Sequence, residues 1–393
     1  MRWRILALLF FARVGLGFQF QTMTSVGDNV AAAFGLDYAE IGVLIGLFML
    51  PGLFLALPAG FAGRYASDRF WAGLGLAALA LGGLISGLAP EPAFIGLGRL
   101  VSGAGFLFST LYFTKMIADW FDGREIATAM SILVMSWPFG IAMGQVGHAW
   151  LSEVYGWRLP FFVATIYCGL AALGVAAFYR APREHAGAGQ GRSWNLLPIE
   201  WGLVICAGAA WGLFNAGYVA YLSFGPKMLE AQGIEPVAAA SLISVGSWLM
   251  ILSGAACGQI ADRFGRRDTI MVICMGAAVG ALALLGVPGG GLWASLLFGL
   301  LGMAPAGVIM ALAGQAVAPE RRAFGMGIFF TLYYAIMAAS PPVAGAIFDA
   351  TGTANGSIVF GMTLFASVVP VVFAFRLIGA RGQKSRAPTA TSN

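Results

Sequence analysis

The chain has 393 residues, of which 59% are hydrophobic and 10% charged, and its formal net charge is +5. Soluble domains carry about a quarter charged residues and porin-type strands alternate apolar with polar ones, so the long continuous apolar runs exclude both. Twelve spans of ~20 residues would use ~240 residues, which matches the hydrophobic content and predicts an all-α polytopic membrane protein.

Arg2 and Arg4 precede an apolar run that Arg13 interrupts. No small-residue cleavage site follows, so the run reads as an uncleaved first span. Apolar periodicity places spans near 5–26, 38–60, 71–89, 93–118, 127–150, 159–179, 199–223, 238–258, 269–287, 291–316, 325–348 and 357–378. Cys168, Cys206, Cys257 and Cys274 all fall inside spans without a CxxC pair, and read as ordinary apolar contacts. With both termini assigned to the cytoplasm, all but four of the 22 Lys and Arg lie on that side. Arg158 and Lys227 are outside, and Arg13 and Arg99 are within spans. That asymmetry follows the positive-inside rule. The basic balance is therefore topological and gives no support to nucleic-acid binding.

The polar stretch Arg180–Asn195 after span six has the composition of a linker. It predicts a first six-helix bundle at 1–179, a cytoplasmic linker at 180–198, a second bundle at 199–378 and a disordered cytoplasmic tail at 379–393. A register supports the division. Gly60 and Gly258 are 198 residues apart, as are Arg124 and Arg322, and their surroundings match. Parallel repeats with a site at their interface are a transporter architecture.

Gly258-Gln-Ile-Ala-Asp262-Arg263-Phe-Gly265-Arg266-Arg267 resembles the cytoplasmic loop signature of the major facilitator superfamily, and Arg99-Leu-Val-Ser-Gly103-Ala-Gly105 is similar to its second motif. The first-half copy of the signature is degenerate, with Arg64 where the acid should stand. Span five reads Trp137-Pro138 where the antiporter motif has Gly-Pro, a poor match. The resemblance implies the superfamily fold, two pseudo-symmetric six-helix bundles in a bacterial inner membrane, and a monomer by default. It also implies that Gly258, Asp262, Arg263, Gly265, Arg266 and Arg267 gate the cytoplasmic side. Physically, an Asp at a helix end can take hydrogen bonds from a neighbouring helix N-terminus, and the arginines can latch adjacent helices.

Charges inside a bilayer cost at least ~2.5–3.5 kcal/mol each, which singles out Arg13 and Arg99. The 17 acids all lie in loops or near span ends. At 100° per residue, Arg13, Gly17, Gln21 and Thr24 share one face of span one. Arg99, Gly103, Thr110 and Thr114 share a face of span four, with Lys115 nearly opposite and snorkelling. In span seven Trp211, Asn215 and Tyr218 share a face, and Trp211 is the register equivalent of Arg13. Spans one, four, seven and ten line the central cavity in the superfamily. The substrate-binding candidates are therefore Arg13, Gly17, Gln21, Thr24, Arg99, Thr110, Trp211, Asn215 and Tyr218, with Tyr333 and Gln145 as weaker ones. Snorkelling competes for Arg13, helix packing competes for Arg99, and His148 is expected at the outer interface.

Two buried cations without a buried acid favour a secondary transporter for a small organic or inorganic anion, since arginine binds planar oxyanions through paired hydrogen bonds. The alternative is a proton-coupled exporter of drugs or cations, which would want a buried carboxylate. A receptor or scaffold would need an appended domain. No metal-spaced cluster, phosphate loop or nucleophile elbow is present, so no enzyme, cofactor or ATP-driven reading arises. The partners expected are the lipid bilayer, the substrate, and a coupling proton or counter-substrate.

Overall fold

The computed structural model describes residues 1–62, 65–121, 125–182, 195–318 and 321–386. The side chains of Asp262 and Arg322 lie outside the described part, as do Arg64, Arg124 and most of the expected linker. Among the described residues there are only helices, and twelve are long and apolar enough to cross a membrane. The spans are α1 (Arg2–Phe34), α2 with α3 (Tyr38–Gly46, Leu50–Ala62), α4 (Asp68–Gly87), α5 (Pro92–Trp120), α6 (Ile126–Tyr155) and α7 (Arg158–Phe178). The second half has α8 (Pro198–Glu230), α9 (Pro236–Phe264), α10 (Arg267–Leu285), α11 with α12 (Gly291–Leu297, Ala306–Ala316), α13 (Arg322–Thr351) and α14 (Ala354–Arg386). An even number of crossings returns both termini to one end, called here the terminal end; the other is the far end.

Several helices outrun the sequence-based boundaries. Span one was expected at 5–26 and is helical from Arg2 to Phe34, and span seven was expected at 199–223 and extends to Glu230. Asp28 and Lys227, expected just beyond the ends of their spans, are thereby on helices. Residues 379–386, expected in the tail, are helical as the end of α14. Gly265 of the loop signature ends α9 with φ of 66°, a left-handed conformation that glycine adopts without strain.

Two spans expected to be continuous are broken at prolines. Between α2 and α3 the backbone tightens, with Phe48 N–H donating to Ile45 O (3.3 Å) and Met49 N–H to Gly46 O (2.9 Å). Pro51 has no N–H for the carbonyl of Leu47. In span ten a π-helical turn, Phe298–Gly302, precedes Pro305, and Ser253 Oγ donates to the Gly299 carbonyl (2.6 Å). Pi-helical turns in long helices concentrate at functional sites.

Small residues set the close helix crossings, as in other membrane bundles. In the first half Gly82 and Gly98 each meet the other's carbonyl across α4 and α5. Between the halves, Gly42, Gly46 and Gly345 bring α2 onto α13. On the other side of the interface α6 meets α9, with Phe139 and Trp248 edge-on at 5.0 Å.

The polar links between the halves cluster at the far end. Asp349 of α13 accepts the N–H groups of Tyr38 (3.0 Å) and Ala39 (2.7 Å), at the positive end of the α2 dipole. Lys227 of α8 donates to Asp28 of α1 and to the Tyr38 hydroxyl (3.0 Å), and lies 4.4 Å above the Tyr38 ring. Ion pairs at the terminal end join helices within one half: Lys115–Asp68 (2.6 Å), Arg2–Glu125 (2.6 Å), Arg321–Glu200 (2.7 Å) and Arg376–Asp268 (2.9 Å). Lys115 thus has an ionic partner on α4 rather than only the lipid headgroups expected for it.

Candidate functional site

Arg13 sits about three turns into α1 and is 8% exposed. Its Nη1 donates to Leu133 O (2.9 Å), Val134 O (3.3 Å) and Ser136 Oγ (3.2 Å), all on α6. The choice of acceptors has a covalent cause. Pro138 lacks the N–H that would bond the carbonyl four residues earlier, and that carbonyl is Val134's. Arg13 therefore caps the gap that Pro138 opens. Its Nε is buried with no hydrogen-bond partner, and none of the described ion pairs involves it. A guanidinium held by dipoles alone keeps its full positive charge inside the bundle.

On α13 of the second half, Tyr333 and Tyr334 are both buried. Tyr333 is 6.3 Å from the ring of Trp211. Asn215 is one turn away on α8, with Nδ2 donating to Trp211 O (2.8 Å). Tyr218 is more deeply buried, and its hydroxyl is shared with Ser247 (2.6 Å). Thr110 Oγ1 is buried without a partner.

Other candidates are placed against backbone. Gly17 faces the Trp137 carbonyl across α1 and α6, and Gly103 faces Phe48 O, so a side chain at either would strike main chain. Arg99 is fully buried. Its Nε donates to Leu44 O (3.1 Å), Nη1 to Gln19 O (3.2 Å) and Nη2 to Phe20 O (3.3 Å), while its guanidinium lies 4.5 Å over Phe48. Every guanidinium nitrogen is thereby engaged. His148 differs from the interfacial position expected for it: it is fully buried, one helical turn from Gln145 and facing α1, with Nε2 3.0 Å from Phe18 O.

Gln21 and Gln145 are hydrogen-bonded to each other, and Gln145 Nε2 reaches the Leu222 carbonyl of the second half (3.4 Å). Just beyond them toward the far end is a cavity of about 270 Å³ between the halves. Its polar lining includes Thr24, Ser25, Gln145, Ser223 and Lys227. Thr24 Oγ1 and Ser223 Oγ are buried without partners. At the terminal end, Arg263, Arg266 and Arg267 are exposed, and the last two border a groove of about 660 Å³ with Gly265 and Arg376. Gly258 has open space beside it. Among the described residues, no group of three or more His, Cys, Asp or Glu could hold a metal ion.

The family model of the Major Facilitator Superfamily matches residues 8–341. The chain belongs to this superfamily. Its relatives include a cis,cis-muconate transport protein of Acinetobacter baylyi, 24% identical over 88% of both chains. A probable 4-methylmuconolactone transporter of Cupriavidus pinatubonensis is also 24% identical, over 90% of this chain and 85% of its own. Among solved structures, a bacterial homologue of the human lysosomal transporter Spinster superposes with TM-score 0.72 at 19% identity over 99% of both chains. The nucleoside transporter NupG gives 0.72 at 15% identity over 95% of this chain and 99% of its own. The protein is accordingly a multi-pass membrane transporter and not an enzyme.

In this superfamily member, sequence reasoning missed Tyr334, Ser136 and the far-end set of Asp28, Tyr38, Lys227 and Asp349. Pro138 was the available signal for Ser136, because a proline inside a span announces carbonyls in need of donors. Lys227 was visible as one of two outer cations, but the helix that carries it inward was not.

Proposed function

We propose that the protein is a secondary active transporter that moves a small anion across the inner membrane by alternating access. Arg13 carries the reading: a buried cation that bonds through Nη1 alone, leaves Nε unpartnered and has no ionic partner among the described residues. An entering carboxylate or comparable oxyanion would supply the missing counter-charge through paired N–H donors. Trp211, Tyr333 and Asn215 would flank it, and Gln21, Thr24 and Gln145 would line its route from the far end. Arg99, with its donors engaged, is assigned to holding helices together. The muconate relative supports an organic acid as the anion.

The positive-inside rule puts the terminal end, with both termini, in the cytoplasm. The far-end links then close the outer side. The gradient that drives transport would be a proton or a counter-substrate.

The test is thermal stabilisation of the purified protein by cis,cis-muconate, nitrate, a polyol and a lipophilic cation, because a ligand specific to the native state raises the midpoint. An anion should stabilise wild type and Arg13→Lys to different extents and leave Arg13→Gln unmoved. Equal stabilisation of all three proteins by the anion, or stabilisation of wild type by the cation alone, overturns the reading.

A further inference from the structure

The bonds of Arg13 look outward to α6, and α6 at that level is where the first half touches the second. Leu133, Val134 and Ser136, which hold Nη1, surround Met135, whose side chain lies against Gly254 of α9 at 3.7 Å from where a Cβ would stand. One residue past Pro138, Phe139 packs edge-on against Trp248 of the same helix. The segment pinned by Arg13 and the segment forming the α6–α9 contact are therefore the same few residues. Ser136 is tied in as well: its hydroxyl donates to Leu133 O (2.6 Å) and accepts from Arg13. Gly17 and Gly140 bring the α1 and α6 backbones close enough for this reach.

We propose that the Leu133 and Val134 carbonyls and the Ser136 hydroxyl are the resting ligands of Arg13, which an anionic substrate displaces. Occupancy is thereby read by α6 at its contact with the other half. This rests on the anion reading above. Pro138 makes the arrangement possible, since without its missing N–H the Val134 carbonyl would be satisfied inside the helix. Carbonyl dipoles are weaker partners for a guanidinium than a full anionic charge. They hold the cation when the site is empty and yield it when an oxyanion arrives. The released carbonyls then lose their donor, and the kinked segment relaxes against α9. The substrate supplies differential interaction with two arrangements of one element, which is what a ligand-driven shift requires. Pro138 and Ser136 are positioning residues here, acting on substrate through Arg13.

A double-mutant cycle on the full chain in detergent tests this, with wild type, Arg13→Gln, Pro138→Ala and the double variant. Arg13→Gln should lower the thermal midpoint in the wild-type background and do so much less beside Pro138→Ala, where the restored N–H takes Val134 O. Pro138→Ala alone should bind cis,cis-muconate several-fold more tightly, because the competing ligand is lost. Ser136→Ala, which leaves the backbone intact, should tighten binding in the same direction and covers the case of a Pro138 variant that fails to fold. Muconate should slow cross-linking of the Met135→Cys, Gly254→Cys pair, and should not slow it when Arg13→Gln is added. Additive midpoints with muconate binding intact, or unchanged affinity in Ser136→Ala, overturn this proposal alone. Muconate and nitrate both failing to stabilise wild type would overturn the anion reading and this proposal together.

Discussion

Replacing Arg99 with methionine separates a helix pin from a substrate ligand. The three acceptors of Arg99 are not equally dependent on it. Gln19 O and Phe20 O lie inside α1 and retain helical partners, and Gln19 O also accepts from Thr22 Oγ1 (2.8 Å). Leu44 O is different. In a continuous helix Phe48 N–H would take it, but at the end of α2 that N–H turns to Ile45 O. Arg99 Nε then supplies the hydrogen bond that α2 cannot. Leaving such a buried acceptor unpaired costs about 1–3 kcal/mol, and losing the stacking over Phe48 adds about 0.5–2 kcal/mol. Removing a desolvated charge returns part of this, so the net loss is on the order of 1–4 kcal/mol. With an unfolding entropy of about 2.1 cal/mol/K per residue, the midpoint falls by ~1–5 °C. That is a lower bound, because helices retained in detergent shrink the entropy of the transition. Arg99→Lys should fall nearly as far, since one ammonium cannot serve α1 and α2 together. Below the midpoint, anion affinity in both variants should stay within about twofold of wild type. An unchanged midpoint with lost anion binding would refute the pin and return Arg99 to the substrate site.

The far-end contacts give two further predictions. Gly42→Val places a side chain on the Pro341 carbonyl, so α2 and α13 cannot close. Cysteines introduced along the far-end cavity should then label faster from outside, and labelling at the wild-type rate would contradict the close approach. Lys227→Met removes the cation that joins α8 to α1 and α2. Asp28 is half-exposed, so the pair is worth on the order of 1 kcal/mol and the closed-to-open ratio should fall by roughly fivefold. A distance distribution between spin labels on α1 and α8 that matches wild type would reject the latch.

The composition and the repeat register made the fold legible because bilayer length and hydropathy act on whole spans. Where the register could be checked against contacts it has structural content: Arg13 reaches residues 133–136 of α6, and Trp211 reaches Tyr333 of α13, which is 198 residues beyond Met135. The helix ends were illegible for a related reason. Hydropathy stops where the membrane does, but α1, with 33 residues, is ~50 Å long at 1.5 Å per residue and exceeds the ~30 Å core. Asp28 and Lys227 ride on such extensions, and what they do there depends on a partner 199 residues away in sequence.

The two intramembrane arginines looked equivalent in the sequence, and each in fact serves a helix interrupted by proline. Arg99 reaches the end of α2, just before Pro51, and Arg13 reaches α6, just before Pro138. Backbone carbonyls come with every residue, so a sequence offers no marker for which of them a side chain will find. A proline in a neighbouring span is the one indirect sign that some are free. Burial does not separate the two arginines, since both are below a tenth exposed. The count of uncommitted donors does. Arg99 has every nitrogen bonded and a ring against its face, so an anion could recruit it only by unfastening α1 from α2. Arg13 has Nε unpartnered and leans on a single helix through one nitrogen. Recruiting Arg13 therefore disturbs α6 alone, at the point where the two halves meet.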